Sequence, residues 1–440
     1  MQTACLNSVG NILDKDLVAA LLATNRGEAF EFISSYFNAH VVAILAGLIP
    51  YTALLWWAGK RLGNTQHPKM SRILAVAFGA GLCITIPTFW IYRYTAVGFT
   101  RNIIQIVCEP SADKLHHTNV TVKATSADQP PVIVWIIGES LTSHHCSLYG
   151  YEKHTNSLLQ KKVDKAEALL FTHVQAAGLY TQASFQLMMG TYSKDMGNRK
   201  KWYTCPTVPD IAKAAGYRTL WISNQSKKGL YDNTVGQYSE LCDTSIFIGN
   251  KFAGVQRTSV DGALLPVVKD VLAQPNGRKF VFVHLMGCHS MFDMRYPASF
   301  AKFKESDYAN RPEEQREKLS TYDNAVLYND YVVDALMNLV ADQEAVVVYS
   351  PDHGLDIFES NPTVASHGNP SNPISSKAGY DIPFLIYATK TYRQRHPDTM
   401  ERMKRSINRH FDMEDAPYLM MDLMQCDFKN HDAARKSLIR

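Results

Sequence analysis

Three apolar runs in this chain end in residues that can hold a metal or move a proton. PVIVWII at 131–137 runs into Gly138-Glu139-Ser140, KFVFVHLM at 279–286 leads to His289, and AVVVYS at 345–350 closes on Ser350-Pro351-Asp352-His353-Gly354. A carboxylate, an imidazole and an Asp-His pair are hard and borderline ligands, a set suited to zinc, and the adjoining glycines let the backbone come close. Taken singly, a Glu after a strand is ordinarily a surface carboxylate and a lone His a structural residue. Their coincidence at three strand ends is the stronger signal, because ligands of open α/β sheets bind at the carboxyl ends of the strands.

These ends need a common sheet. Besides the three runs, TLWISN at 219–224 and FLIYAT at 384–389 are short and apolar, and longer helical stretches separate them. Near-continuous apolar strands alternating with helices predict an α/β domain with a largely parallel sheet covered on both faces, here over residues 131–440.

The first 130 residues have a different character. Val41 to Ala58 and Ile73 to Tyr92 carry no charge, and each is long enough to cross the hydrocarbon. A pair of buried core helices is the alternative, against which stand the length of the runs and the Trp56, Trp57, Trp90 and Tyr92 belt at their ends. Between them Lys60, Arg61, Lys69 and Arg72 face no acidic residue, so the loop is expected in the cytoplasm and both outer flanks on the far side. Asp16 to Phe37 has helical apolar spacing that fits a surface-lying amphipathic helix or an ordinary core-facing one, and Arg93 to Pro110 reads similarly. Lys114 to Pro131 reads as a polar, Pro-ended linker. Met1 to His40 shows neither signal peptide nor earlier span, so upstream helices are expected to be missing from this chain.

Composition excludes other classes. Among 440 residues, 46% are hydrophobic and 20% charged, too apolar for a disordered chain. The formal charge of +4 is too small an excess over this length for a nucleic-acid partner. The mean hydropathy of -0.18 hides the two apolar runs within a soluble average.

GESLTSHHCSLYGYEKHTNSLL at 138–159, HLMGCHSMFDMRYP at 284–297, YDNAVLYNDY at 322–331 and SPDHG at 350–354 resemble the bacterial phosphoethanolamine transferases, membrane-anchored members of the sulfatase and alkaline-phosphatase superfamily. The resemblance also takes in ATNRGEAFEF near the start and the two apolar spans. GES with SLYGY is closer to the members that modify core heptose than to the colistin-resistance members that modify lipid A. The resemblance implies a threonine nucleophile at a helix start downstream of the Glu, where GLYTQASFQLMM offers Thr181, with Ser184 the less favoured hydroxyl. A helix amino terminus suits a phosphoryl group, although a threonine there is, on its own, more simply a cap.

By the same resemblance zinc is held by Glu139, Thr181, Asp352 and His353, while His289 and His367 flank the phosphate or a second metal. Asn224 and Lys228 are the implied phosphate contacts, with Lys227 the alternative lysine. The implied reaction is ping-pong. Thr181 takes phosphoethanolamine from phosphatidylethanolamine, and a lipopolysaccharide or lipooligosaccharide acceptor, core sugar or lipid A, then displaces it, with His289 or His367 as acid or base. The catalytic domain is thereby expected in the periplasm, anchored to the inner membrane and in contact with its lipids. A phosphoglycerol transferase or a sulfatase-like phosphodiesterase is the alternative, although no CxPxR-type motif surrounds Thr181.

His284 reads as a strand residue, and His144, His145, His116 and His117 as solvent-exposed. The disulfide that brackets the nucleophile in colistin-resistance members is absent, since Ala177 and Leu187 occupy its positions. Of eight cysteines, Cys205 and Cys242 flank one helix-strand-loop unit and are the favoured pair, with free buried thiols as the alternative.

Overall fold

The computed structural model describes residues 115–439 except 228–233, 250–258, 276, 363–364, 369–375 and 429–436. The apolar runs at 41–58 and 73–92 and the helices expected at 16–37 and 93–110 lie outside these residues. Among the described residues no helix is long and apolar enough to cross a membrane.

Seven strands form the central sheet: β1 Val132–Gly138, β2 Ala168–Phe171, β3 Tyr217–Ser223, β4 Thr244–Phe247, β5 Arg278–His284, β6 Ala345–Pro351 and β7 Phe384–Ala388. Their spatial order is β2-β7-β6-β1-β5-β3-β4. The five from β6 to β4 run parallel, and β7 and β2 extend the sheet by antiparallel pairing. Side chains alternate across β1. Ile133, Trp135 and Ile137 enter one buried layer with Phe185 and Trp221, while Val132, Val134 and Ile136 enter the other with Tyr322 and Val333. Both faces are therefore covered, which is why this strand reads as one continuous apolar run.

Register decides where the chemistry falls. Ile137 pairs with His284, Gly138 with Pro351 and Ser223 with His284, so β1, β3, β5 and β6 end on one line and the residues after them emerge side by side. Two helices flank that line: α1, Thr181–Met188, and α2, Glu313–Asn338, a 26-residue helix with most of its length buried.

The stretch read as a linker is stitched to the domain. Val122–Ala124 pairs antiparallel with Cys426–Phe428, the Leu115 N–H donates to Gln237, and His117 is hydrogen-bonded to Asp210 at 2.8 Å. All five described cysteines, Cys205 and Cys242 among them, are free thiols. The favoured disulfide is thus not formed; Cys205 Sγ donates to the Lys201 carbonyl at 3.6 Å and Cys242 Sγ to that of Tyr238 at 3.8 Å, each within its own turn.

Candidate active site

Glu139 follows β1 and Asp352-His353 follows β6, so the paired strand ends deliver both carboxylates and the imidazole to one point. Their ligand atoms lie within 4.8 Å of one another, all three side chains being buried. His353 Nε2 is 3.1 Å from Glu139 Oε1 and 3.6 Å from Asp352 Oδ2. Thr181, the first residue of α1, places its hydroxyl 3.1 Å from Glu139 Oε2 and 3.4 Å from His353 Nε2. Gly178 permits this approach, since a Cβ there would lie 2.9 Å from the Ser184 nitrogen. Ser184 is turned away and donates to the Gly178 carbonyl at 3.1 Å, which leaves Thr181 as the hydroxyl at the cluster.

The loops that carry these groups are held in costly conformations. Ser140 has a φ of 54°, the left-handed region that costs a non-glycine residue about 1–3 kcal/mol, and donates its hydroxyl to Glu139 Oε1 at 2.7 Å. Gly287 has a φ of 56°, and a Cβ on it would sit 2.7 Å from both the Glu139 N and O atoms, so glycine is required on both counts.

Electrostatics show what the cluster can hold. Burial alone would raise the Glu139 carboxyl, yet the neighbouring His353 charge holds it well below the usual carboxylate range. Burial and then the Glu139 charge push Asp352 up to about 8. Burial opposes protonation of His353, but Asp352 and Glu139 bring it up to about 9. One imidazolium cannot balance two buried carboxylates, so ionisation of Asp352 is disfavoured. A divalent cation would balance both.

The donor set fits zinc on a second count. Asp352 Oδ1 accepts the His353 N–H at 2.7 Å, whereas Oδ2 is buried with no hydrogen-bond partner. His353 Nδ1 lies 2.8 Å from the Gly354 carbonyl, a contact that leaves Nε2 facing the carboxylates as a ligand atom.

His289 and His367 meet at the same place. With Ser140 they line a cavity of about 310 Å³ that Lys318 and Thr321 of α2 also line. The His367 ring packs edge-on between Tyr180, at 4.9 Å, and His353, at 5.0 Å. Burial and then the His353 charge lower it to about 3. His284, expected as a strand residue, ends β5 with Nδ1 at 3.1 Å from Ser223 Oγ.

Three expectations are corrected or left aside. Asn224 does not face the cluster; its amide donates to Asp261 at 2.8 Å and to the Ser259 carbonyl, and Asp261 in turn accepts the N–H groups of Met286 and Gly287, so Asn224 braces the loop that carries His289. Lys228 lies outside the described residues, and Lys227 pairs with Glu240 at 3.3 Å. His145 is buried rather than exposed; its Nδ1 lies 2.6 Å from Asp323 and its Nε2 3.3 Å from Glu359, and these carboxylates overcome burial to raise it to about 9. His116 and His144 keep solvent contact, the latter bonded to Asp381 at 3.1 Å.

Gln225, next to the expected Asn224, is the residue that sequence reasoning missed. Its amide donates to Glu139 Oε2 at 3.2 Å and to the Leu285 carbonyl at 2.9 Å. Outer partners that orient a metal-binding carboxylate typically contribute 10- to 100-fold in affinity. Gln225→Leu is therefore expected to weaken zinc binding by about that factor, measured by chelator competition, with little change in the unfolding midpoint.

Comparison with known proteins agrees with this geometry. A family model described as sulfatase matches residues 131–424. The phosphoethanolamine transferase EptC of Escherichia coli strain K12 is 26% identical over 461 aligned positions, covering 97% of this chain and 78% of that protein. Among solved structures, the C-terminal periplasmic domain of E. coli EptC in complex with Zn superposes with a TM-score of 0.66 at 26% identity, over 73% of this chain and 89% of that one. The integral membrane lipooligosaccharide phosphoethanolamine transferase A of Neisseria meningitidis shares the fold, with a TM-score of 0.71 at 19% identity over 97% of this chain and 82% of that one. The sheet, the strand-end cluster and the match over residues 131–424 establish that the chain belongs to the sulfatase family.

Proposed function

We propose that this protein is a zinc-dependent phosphoethanolamine transferase that moves phosphoethanolamine from phosphatidylethanolamine to a lipopolysaccharide or lipooligosaccharide acceptor, by way of a phosphorylated Thr181. The observation that carries this reading is the Thr181 hydroxyl at the start of α1, 3.1 Å from Glu139 Oε2, beside a buried Glu139-Asp352-His353 cluster whose ligand atoms could hold a divalent cation. The named relative and the E. coli EptC domain crystallised with Zn support it.

Glu139, Asp352, His353 and Thr181 would hold the metal, which when bound supplies Lewis-acid polarisation of the threonine and phosphoryl oxygens. Thr181 donates its hydrogen bond to Glu139, which gives the departing proton a place. Oγ1 bonds to phosphorus, the bond to the glycerol oxygen breaks, and diacylglycerol leaves. The acceptor hydroxyl then reverses the exchange at Thr181. On the cavity wall, His289 would pass a proton to the leaving oxygen, and His367, kept neutral by burial and the His353 charge, would take one from the acceptor. The amino end of α1 places backbone N–H groups and a positive dipole against the phosphoryl oxygens. The anchor has a purpose under this reading. The membrane region, expected over 1–130 with spans at 41–58 and 73–92, would end before Leu115, because residues 115–130 pack on the domain that works in the periplasm on a lipid donor.

Reconstitution with phosphatidylethanolamine and lipopolysaccharide tests the assignment. The acceptor should gain the mass of one phosphoethanolamine group. A gain from phosphatidylglycerol alone would make the protein a phosphoglycerol transferase, and donor cleavage without any gain would make it a hydrolase.

A further inference from the structure

Tyr322, Asp323 and Asn324 open the YDNAVLYNDY segment, and the proposed reaction gives none of them a task. Each is almost fully buried, at 0%, 0% and 2% exposure, and each ties α2 to a different loop. Asp323 takes His145, Tyr151 and Tyr308; Asn324 accepts the N–H groups of Lys302 and Phe303 at 2.8 Å. Tyr322 reaches the turn after β1. Its hydroxyl donates to the Ser140 carbonyl at 2.9 Å and accepts the Thr142 N–H at 3.1 Å.

From this geometry we infer that Tyr322 is a positioning residue for the metal site, which it serves by clamping the strained turn that presents Glu139. Its two bonds bracket the turn whose first residue, Ser140, is forced to a φ of 54°. The other backbone donors of the turn are taken elsewhere, Ser140 by Asp352 Oδ1, Leu141 by the His353 carbonyl and Ser143 by that of Asp381. The Tyr322 hydroxyl is thus the partner of the Thr142 amide and of the Ser140 carbonyl, both in buried residues, and an unpaired polar group there is unfavourable enough to let the turn relax. The same ring packs edge-on against Phe292, at 5.0 Å, on the wall of the cavity that His289 lines. One side chain therefore sets the spacing between the Glu139 turn and the loop after β5.

The inference rests on the proposed metal-dependent reading, and the test separates the two. In the full chain, Tyr322→Phe removes only the hydroxyl. Zinc affinity, by chelator competition, should fall about tenfold or more. Amide exchange across 138–146 in the metal-free protein should speed up, while the unfolding midpoint stays within a few degrees of wild type. The zinc penalty should shrink when Tyr322→Phe is made in a Ser140→Gly background, where a positive φ needs no clamp. Unchanged affinity and exchange would overturn the assignment. So would an affinity loss that only tracks the midpoint, or a penalty equal in both backgrounds. Absence of transferase activity in wild-type protein would sink the functional reading and leave these zinc and exchange readouts to be judged on their own.

Discussion

Thr181→Ala will abolish transfer. The loss expected on removing a nucleophile is roughly a thousandfold or more in turnover, because general polarisation of the donor cannot replace the missing bond-forming atom. Zinc binding should weaken as well, since the hydroxyl is also one of the four groups that would hold the metal, so zinc content is measured beside the rate. Ser184→Ala is the control. That hydroxyl is buried and spent on the Gly178 carbonyl, so its removal should leave the rate within a few-fold of wild type. The reconstituted assay reads both variants, and the metal-free unfolding midpoint shows whether either disturbs the helix.

The second large effect concerns the metal, and two substitutions should move stability in opposite directions. Asp352→Asn replaces a buried carboxyl whose ionisation burial and the Glu139 charge already disfavour, so the metal-free protein should be as stable as wild type or more so, while zinc affinity falls beyond the 10- to 100-fold typical of an outer partner. His353→Ala removes the cation that offsets Glu139 and should cost the metal-free protein about 3–5 kcal/mol. Metal analysis and calorimetry on the same preparations decide it. Full zinc content in both variants would show that these residues are not the ligands.

Strand ends were the readable part of this site. β1, β5 and β6 announce themselves as apolar runs, and a carboxylate or histidine that follows such a run must emerge at the sheet edge whatever the rest of the chain does. The short strands Ala168–Phe171 and Thr244–Phe247 carry no such signal; each has four residues, is partly exposed and sits at an edge, so no long apolar run is needed. Thr181 could be singled out only through the family resemblance, because a threonine that begins a helix is ordinarily a cap.

Neighbour-level detail was hidden for a different reason. Asn224 and Gln225 are adjacent polar residues after β3, and which of them meets Glu139 depends on how the turn rotates once Asp261, far along the chain, has captured Asn224. His145 stands in a polar stretch and reads as exposed; its partner Asp323 is contributed by α2, a contact that no local pattern encodes.

Mass spectrometry of Thr181 itself tests the central claim most directly. Protein turned over on phosphatidylethanolamine without acceptor, then quenched and digested, should carry phosphoethanolamine on the peptide that contains Thr181, and addition of lipopolysaccharide should discharge it. The label on Ser184, or an unlabelled Thr181 in protein that still transfers, would contradict the account.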